Sequence, residues 1–188
     1  MAGRFRVVDT GVLEGRFNIA IDQAMIEEHQ AGRIPDTFRF MRFPPTALIG
    51  RHQALRQEVD VDHCRAHGIG IVRRITGGGA IYLDEGQLGW GLVFHRKALS
   101  ATCLAGLASD ICEAVAAGLR RLGVDARYRP RNDIEVDGRK ISGTGGFFDG
   151  DTLIYQGTVL VDMNPAAMVA ALRVPRAKLE KRQLDSAA

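Results

Sequence analysis

Residues 133–146, with the sequence DIEVDGRKISGTGG, carry the clearest fold signal in this chain. Apolar and polar residues alternate before Asp137-Gly138, and an Asp-Gly pair between two strand-like runs is typical of a two-residue β-hairpin turn. Further strand-like runs lie on either side, DARYR at 125–129 and TLIYQGTVLVDM at 152–163. Because hairpins join neighbouring strands in antiparallel order, we expect a mostly antiparallel sheet rather than a Rossmann-type parallel one.

Helical periodicity is found in two longer segments and near the end of the chain. In FNIAIDQAMIEEH (17–29), one helical face is apolar and is expected to be buried; it consists of Phe17, Ala20, Ile21, Ala24 and Met25. Residues 100–123 predict the longest helix, with Ser100 as its N-cap and Gly123 closing it. Its expected buried stripe is Leu104, Leu107, Ile111, Val115, Leu119 and Leu122. Asn164-Pro165 opens a last helix. Helices packed on such a sheet predict an α+β fold.

Composition limits the classes of protein to which the chain can belong. Its 188 residues, 46% hydrophobic and 25% charged, suit one domain with a real core. No run approaches the roughly 18 apolar residues of a membrane span, and no apolar signal-peptide region begins the chain, so we expect no membrane partner. Cys64, Cys103 and Cys112 are odd in number and lack metal-site spacing, so reduced thiols in the cytoplasm are expected.

The charged residues are biased in type rather than in total. The net charge is +3, with 21 arginines and four lysines. Arginine offers fixed bidentate geometry to phosphate or carboxylate, although a high arginine content alone is also common without function. Because a net charge of +3 comes without a face of alternating aromatic and basic residues, nucleic acid is not an expected partner.

Three consecutive glycines follow two arginines in the segment RRITGGGA (73–80). The segment is neither a G-x-G-x-x-G fingerprint nor a P-loop, since no Gly-Lys-Ser/Thr follows it. Bare backbone permits close approach of a ligand and its N–H groups can hold an anion, whereas a plain hairpin loop is the alternative. Arg73 and Arg74 are adjacent in a strand, so only one of them can face a site beside the loop. We expect the other to face solvent or a partner.

Two further segments combine small residues with hydroxyl groups. Asn132-Asp133 precede the hairpin, Lys140 lies just past its turn, and residues 142–146 follow as Ser-Gly-Thr-Gly-Gly. A lysine among apolar residues usually extends to solvent, which is the alternative interpretation of Lys140. Gly157-Thr158 interrupt the run at 152–163, as happens where backbone meets a ligand. Together with the arginines, these segments predict a site for a phosphate-bearing, partly apolar ligand.

Six motifs, in this order, resemble the lipoate-protein ligase A family. They are N-x-A-x-D-x-A (18–24), G-R-x-Q (50–53), R-R-x-T-G-G-G-A (73–80), N-D-I (132–134), G-x-K-x-S-G (138–143) and G-T-x-L-V (157–161). That family belongs to the lipoyl/octanoyl-transferase and biotin-ligase superfamily, and the resemblance covers nearly the whole chain. It implies a class II synthetase-like, biotin-ligase-like catalytic domain of α+β class, with helices on a curved, mixed and mostly antiparallel sheet.

The resemblance also implies a reaction in two steps. Lipoate and ATP give lipoyl-adenylate, and the lipoyl group then passes to a lysine of a lipoyl-domain acceptor: a dehydrogenase E2, a glycine-cleavage H protein or another lipoate-binding protein. Lys140 is the implied catalytic lysine, since a cation can stabilise charge at the phosphate, and Asp133 the implied Mg²⁺ ligand. The implied lipoyl- and adenylate-binding residues are Arg73, Arg74, Thr76, Gly77, Gly78, Gly79, Ala80, Asn132, Asp133, Ser142, Gly143, Gly157 and Thr158.

An octanoyl or lipoyl transferase, which carries the acyl group as a cysteine thioester, is the alternative function. Three departures from the ligase pattern favour it or leave acyl specificity open: Leu83 and Gln156 where ligases have His, and Gln87 where Asn is common. The transferases of the family place their cysteine shortly before the lysine strand or some way after it. Neither residues 123–134 nor the chain after Lys140 contains a cysteine, so the ligase is favoured.

One domain and a tail are expected along the chain. Residues 1–172 are the predicted catalytic domain, and residues 173–188 are a predicted basic tail. Ligases of the resembled family carry a small accessory domain after the catalytic one. We therefore expect that domain to be truncated here or to be a separate polypeptide.

Overall fold

The computed structural model describes residues 5–98 and 104–173, which form ten strands, five α-helices and a 3₁₀ turn at Arg96–Ala98. The strands are β1 (Arg6–Val12), β2 (Thr37–Arg42), β3 (Thr46–Ile49), β4 (Gly70–Arg73), β5 (Ile81–Leu83), β6 (Gln87–His95), β7 (Arg127–Arg129), β8 (Asp133–Val136), β9 (Arg139–Asp149) and β10 (Thr152–Leu160). The helices are α1 (Gly15–Gln30), α2 (Leu55–Glu58), α3 (Val61–Ala66), α4 (Leu104–Arg121) and α5 (Pro165–Ala171). None of these helices is long and apolar enough to cross a bilayer.

The described residues form two compact units, each built on one sheet. The large-sheet unit contains the residues up to Gly11, Asp22–Met41 and Leu88–Val161. The small-sheet unit contains Val12–Ile21, Arg42–Gln87 and the residues from Asp162 onward. Their strand orders are β1-β2-β6-β10-β9-β8-β7 and β4-β3-β5. The predicted domain of residues 1–172 stays a prediction, and the predicted tail lies outside the described residues except for Arg173.

Antiparallel pairing dominates, as the hairpin signal predicted. Strand β2 pairs antiparallel with β6, and β7, β8, β9 and β10 follow one another in antiparallel order. Asp137 and Gly138 have φ values of 50° and 72°, and two positive φ angles are what a type I′ hairpin turn requires. The small sheet is mixed, because β3 pairs parallel with β4 and antiparallel with β5.

The core of the large-sheet unit lies between its sheet and α4. Trp90, Tyr155 and Leu153 are buried against Leu107 and Ile111 of the helix. Full burial of such a side chain stabilises the fold by about 1.5–3 kcal/mol, so this layer is a major source of stability.

The predicted stripe of α4 is right in its middle and wrong at its ends. Val115 and Leu119 pack against the core, but Leu104 and Leu122 are 40% and 79% exposed. Leu104 is the first residue of the helix and Leu122 follows its last, so neither is held against the sheet. Gly123, with φ 87°, ends the helix as predicted, whereas Ser100 lies outside the described residues.

The apolar face predicted for α1 is right at Met25, which is buried, and wrong at Phe17, Ala20 and Ala24, which are exposed. Phe17 is 66% exposed, while Asn18 and Asp22 are buried. Asn18 donates through its side-chain amide to the carbonyls of Leu13 and Arg42, at 2.9 Å each. Buried polar groups are stable when they are hydrogen-bonded in this way, so polar residues occupy positions that periodicity assigns to apolar ones.

The small-sheet unit has a core of its own. Ala47, Val59, Cys64 and Tyr82 are buried there together with Ala171 of α5. Helix α5 begins as predicted, because the side chain of its N-cap, Asn164, accepts from the N–H of Ala167 at 3.1 Å.

Candidate functional site

The predicted site residues are found in both units. Two groups can be defined: the lysine hairpin, which is strands β8 and β9 in the large-sheet unit, and the glycine loop, which is residues 73–80 in the small-sheet unit.

In the lysine hairpin, Lys140 is anchored rather than free in solvent. Its Nζ lies 2.6 Å from Oδ1 of Asp133, although 48% of the side chain is exposed. Nη2 of Arg129 lies 2.8 Å from Oδ2 of the same carboxylate, and its Nη1 lies 3.4 Å from Glu135. Asp133 is therefore bracketed by two cations. Arg129 was missed by the sequence analysis, and its place on β7 beside the hairpin was the available signal.

The electrostatics of this group keep Asp133 ionised. Partial burial alone would raise its pKa, but hydrogen bonds from Lys140 and Arg129 and their charges outweigh this and lower the pKa. Gly143, the Cα partner of Asp133 across the hairpin, leaves room for the ammonium, since a Cβ there would come within 2.9 Å of Nζ. The structure thus places a carboxylate, a lysine and a glycine together in the lysine hairpin, and their contact with a ligand stays a prediction.

Asn132 is tied to the hairpin through Thr144. The backbone N–H and the hydroxyl of Thr144 both donate to the carbonyl of Asn132, at 3.0 Å each. The side-chain amide of Asn132 donates in turn to the carbonyl of Thr144. The same hydroxyl lies 2.7 Å from the Tyr155 hydroxyl and 3.3 Å from Sγ of Cys112. Thr144 therefore fixes the segment that carries Asn132 and Asp133, a role that the sequence analysis did not assign.

Ser142, Gly157 and Thr158 lie in the same unit. Ser142 is buried on β9, and its hydroxyl has no hydrogen-bond partner among the described residues. A Cβ on Gly157 would overlap the Trp90 ring, coming within 2.6 Å of Cε2, so packing alone explains this glycine. Thr158 is partly exposed on β10. Ligand contact by these three residues stays a prediction.

The glycine loop is held by its own arginine. Arg74 donates from Nη2 to the carbonyls of Gly77 and Gly79 at 2.7 and 2.9 Å, and from Nη1 to Leu48 at 3.1 Å. Gly78 adopts φ 98°, a conformation that side chains rarely take, and a Cβ on Gly50 would overlap its carbonyl oxygen. Two glycines are thus required where the loop crosses residue 50.

Arg73 and Thr76 also make backbone contacts. Nη1 of the exposed Arg73 donates to the carbonyls of Gly50, Arg51 and Gln53 at 2.9–3.1 Å. Thr76 is buried, and its carbonyl accepts from the N–H of Arg51 at 2.9 Å. Both arginines therefore shape backbone in this structure, and contact with a ligand by Arg73, Arg74 or Thr76 stays a prediction.

The described residues contain no group of three or more His, Cys, Asp or Glu side chains that could hold a metal ion. Asp133 is a single carboxylate whose two oxygens already accept from Lys140 and Arg129. In this arrangement Asp133 positions the ammonium of Lys140. Its role as a Mg²⁺ ligand stays a prediction.

The described cysteines are poor nucleophiles. Burial raises the pKa of the Cys64 thiol, and burial also raises the pKa of the Cys112 thiol, although its hydrogen bond with Thr144 acts in the opposite direction. Cys103 lies outside the described residues. Since the thiolate is the reactive form, neither Cys64 nor Cys112 resembles an activated thioester cysteine.

Residues 14–187 match the sequence model of the lipoyl protein ligase A/B catalytic domain. The chain belongs to this family. Octanoyltransferase LipM of Moorella thermoacetica is 29% identical over 206 residues, covering 97% of this chain and 74% of that protein. Lipoate-protein ligase A subunit 1 of Thermoplasma acidophilum is 31% identical over 192 residues, covering 97% and 71%. The family predicted from six motifs is confirmed, and its two activities are both represented among the relatives.

Solved structures of family members confirm the fold class. A bi-partite lipoate protein ligase from Thermoplasma acidophilum, described with its E2 lipoyl domain, has a TM-score of 0.82 at 28% identity, covering 96% of this chain and 71% of that chain. A lipoate-protein ligase A bound with ATP has a TM-score of 0.80 at 30% identity, covering 95% and 74%. At 10% identity and a TM-score of 0.51, a biotin acetyl coenzyme A carboxylase synthetase from Helicobacter pylori shares the fold alone, over 86% of this chain and 68% of that one.

Proposed function

We propose that this chain is a lipoate-protein ligase, which activates lipoate with ATP and transfers the lipoyl group to a lysine of a lipoyl domain. The observation that carries the proposal is the 2.6 Å pair between Lys140 and Asp133 in a member of this family. The ATP bound to the ligase neighbour supports the choice of co-substrate.

The proposed first step joins a lipoate carboxylate oxygen to the α-phosphorus of ATP, with loss of pyrophosphate. Negative charge concentrates on the phosphoryl oxygens as the new bond forms, and a preorganised cation stabilises it. Lys140 is our candidate, because Asp133 holds its ammonium in one place without burying it. In the second step, the acceptor amine attacks the acyl carbonyl and AMP leaves.

The buried thiols favour a ligase over an octanoyltransferase, which is the alternative function. A thioester mechanism needs an accessible thiolate, whereas Cys64 and Cys112 are buried and have raised pKa values. The similarity to octanoyltransferase LipM keeps octanoate as an alternative acyl group. Since Cys64 and Cys112 are free thiols, the cytoplasm is the proposed compartment.

The proposed partners follow from the Thermoplasma neighbour, which is described as bi-partite and together with its E2 lipoyl domain. By that likeness, a lipoyl domain is the proposed acceptor, and a second polypeptide is proposed to complete the activity.

The deciding experiment is run with the proposed second polypeptide present and compares Lys140→Ala with Lys97→Ala, an exposed lysine of the 3₁₀ turn, in lipoate-dependent exchange of pyrophosphate into ATP. We expect exchange to fall about a hundredfold or more for Lys140→Ala, the usual effect of losing a stabilising group at a developing charge, and to stay unchanged for Lys97→Ala. Equal exchange in wild type and Lys140→Ala would remove the proposal. Octanoyl transfer without ATP, lost when Cys64, Cys103 and Cys112 are all replaced by Ala, would establish the transferase instead.

A further inference from the structure

Glu58 is a buried carboxylate that no motif of the sequence analysis includes. It is the last residue of the short helix α2 and is only 7% exposed. Its Oε2 accepts from the backbone N–H of Ala80 at 2.7 Å. Ala80 is the residue that closes the glycine loop, so this buried acid ends on the loop.

Arg74 holds the same loop by the opposite kind of group. Its guanidinium donates to the carbonyls of Gly77 and Gly79, while the carboxylate of Glu58 accepts from the N–H of Ala80. The two side chains also interact electrostatically. Burial lowers the pKa of Arg74, and the negative charge of Glu58 opposes that change. Carbonyls drawn to a cation and an amide drawn to an anion leave the loop little freedom.

The remaining amides of the loop are left for another acceptor. Among the described residues, none accepts a hydrogen bond from the N–H groups of Gly77, Gly78 or Gly79. Successive glycine amides of this kind form an anion-holding nest. Three glycines have many accessible conformations, so a ligand that had to order them on binding would lose affinity.

We propose that Glu58 is a positioning residue, which holds the glycine loop in its ligand-binding conformation through the Ala80 amide. The proposal rests on the proposed function in one respect: the ligand of the loop is taken to be lipoate or its adenylate. A buried polar side chain costs stability unless it is hydrogen-bonded, and an apolar side chain would fill the same space at lower cost. The hydrogen bond from the Ala80 N–H explains why a carboxylate, rather than an apolar side chain, occupies this position.

The test separates reach from charge at position 58. Glu58→Asp keeps the charge but withdraws the carboxylate by one methylene, so it loses the hydrogen bond from the Ala80 N–H. Glu58→Gln loses the charge but keeps an oxygen at the right distance. Glu85→Gln, an exposed acid of the same unit, is the matched control. For each variant, the full chain is assayed for KM and kcat with lipoate and with lipoyl-AMP, and for hydrogen exchange at the amides of residues 76–82.

Glu58→Asp should raise KM about tenfold or more with kcat changed less, because a buried hydrogen bond to a charged group is lost. Its loop amides should exchange faster, whereas Glu58→Gln should stay within about threefold of wild type in KM, as rescue by a retained acceptor predicts. Unchanged KM and exchange in Glu58→Asp would overturn the proposal. Wild-type protein inactive with both lipoate and lipoyl-AMP would overturn the proposed function alone, since loop exchange in the variants still decides the role of Glu58.

Discussion

Replacing Gly77 and Gly50 separately by alanine distinguishes a loop that binds substrate from a loop that merely packs. A Cβ built on Gly77 meets nothing within 4 Å, and its φ lies outside the left-handed region. A Cβ on Gly50 would overlap the carbonyl oxygen of Gly78, so backbone would have to move. The same substitution thus adds a methyl to open space in one case and to a backbone contact in the other.

The expected magnitudes follow from these surroundings. Gly77→Ala should leave stability unchanged or raise it by about 0.4–1 kcal/mol, because alanine restricts the unfolded chain. If the lipoyl group lies against the bare backbone, the methyl occupies its space, and overpacking of about 1–3 kcal/mol raises KM roughly 5- to 150-fold. Gly50→Ala should lose about 1–3 kcal/mol of stability, which lowers Tm by roughly 2–12 °C for a chain of this size.

The assay is lipoylation of an apo lipoyl domain, with KM measured for lipoate and for lipoyl-AMP beside Tm by calorimetry. Gly118→Ala is the control, since Gly118 lies inside helix α4 with open space around it. It should raise stability by about 0.5–1 kcal/mol and leave KM unchanged. If Gly77→Ala melts like wild type and has the wild-type KM for both substrates, substrate does not lie against residue 77 and the reasoning fails.

Two further predictions concern the reaction steps and the pH dependence of stability. This chain should transfer from synthetic lipoyl-AMP to a lipoyl domain while using ATP poorly until a second polypeptide is added, because adenylation depends most on water exclusion and closure; full ATP-dependent turnover by the chain alone would contradict this. Burial raises the pKa of Asp22 to about 6 from 3.8 against the charge of Arg39, so the folded state binds this proton more tightly than the unfolded state. Its stabilising contribution is present below about pH 4 and lost as pH rises through about 6, so wild-type Tm should fall relative to Asp22→Asn between about pH 4 and 7.5; a constant difference would contradict it.

The parts of the fold that sequence predicts well are those decided by neighbours in sequence. Asp137 and Gly138 both adopt positive φ, a conformation that these residue types favour at a hairpin turn. The last helix likewise begins at Asn164, whose side chain accepts from a backbone amide three residues later. The antiparallel class of the large sheet follows from such local signals.

Contacts between residues far apart in sequence explain what was missed. Asp22 is buried because Arg39 lies 2.7 Å from it and the Gln156 amide donates to it at 2.6 Å, across 134 positions of sequence. The pattern of apolar residues within α1 contains no information about these distant partners. Phe17 was therefore assigned to the buried face, and Asp22 was not. Glu58 was overlooked for the same reason, since the Ala80 amide that it binds is 22 residues away. At the lysine hairpin, by contrast, Asp133 and Lys140 are seven residues apart on the two strands of a predicted hairpin, although their ion pair itself was not predicted.

The glycines show how the structure refines a site predicted from composition. The sequence analysis assigned Gly157 to ligand contact, yet this glycine is needed by the Trp90 ring, just as Gly50, which was given no such role, is needed by the Gly78 carbonyl. Gly77 and Gly145 differ, because a Cβ on either meets nothing within 4 Å and neither has a left-handed φ. The fold would accept alanine at both, and alanine would cost less conformational entropy on folding. A glycine that the fold does not need, in a segment that the function is proposed to use, is therefore the stronger candidate for ligand contact. By this reasoning Gly145, on β9 beyond Lys140, is a second candidate beside Gly77. Gly145→Ala, like Gly77→Ala, should lower substrate affinity and leave the stability of the fold unchanged.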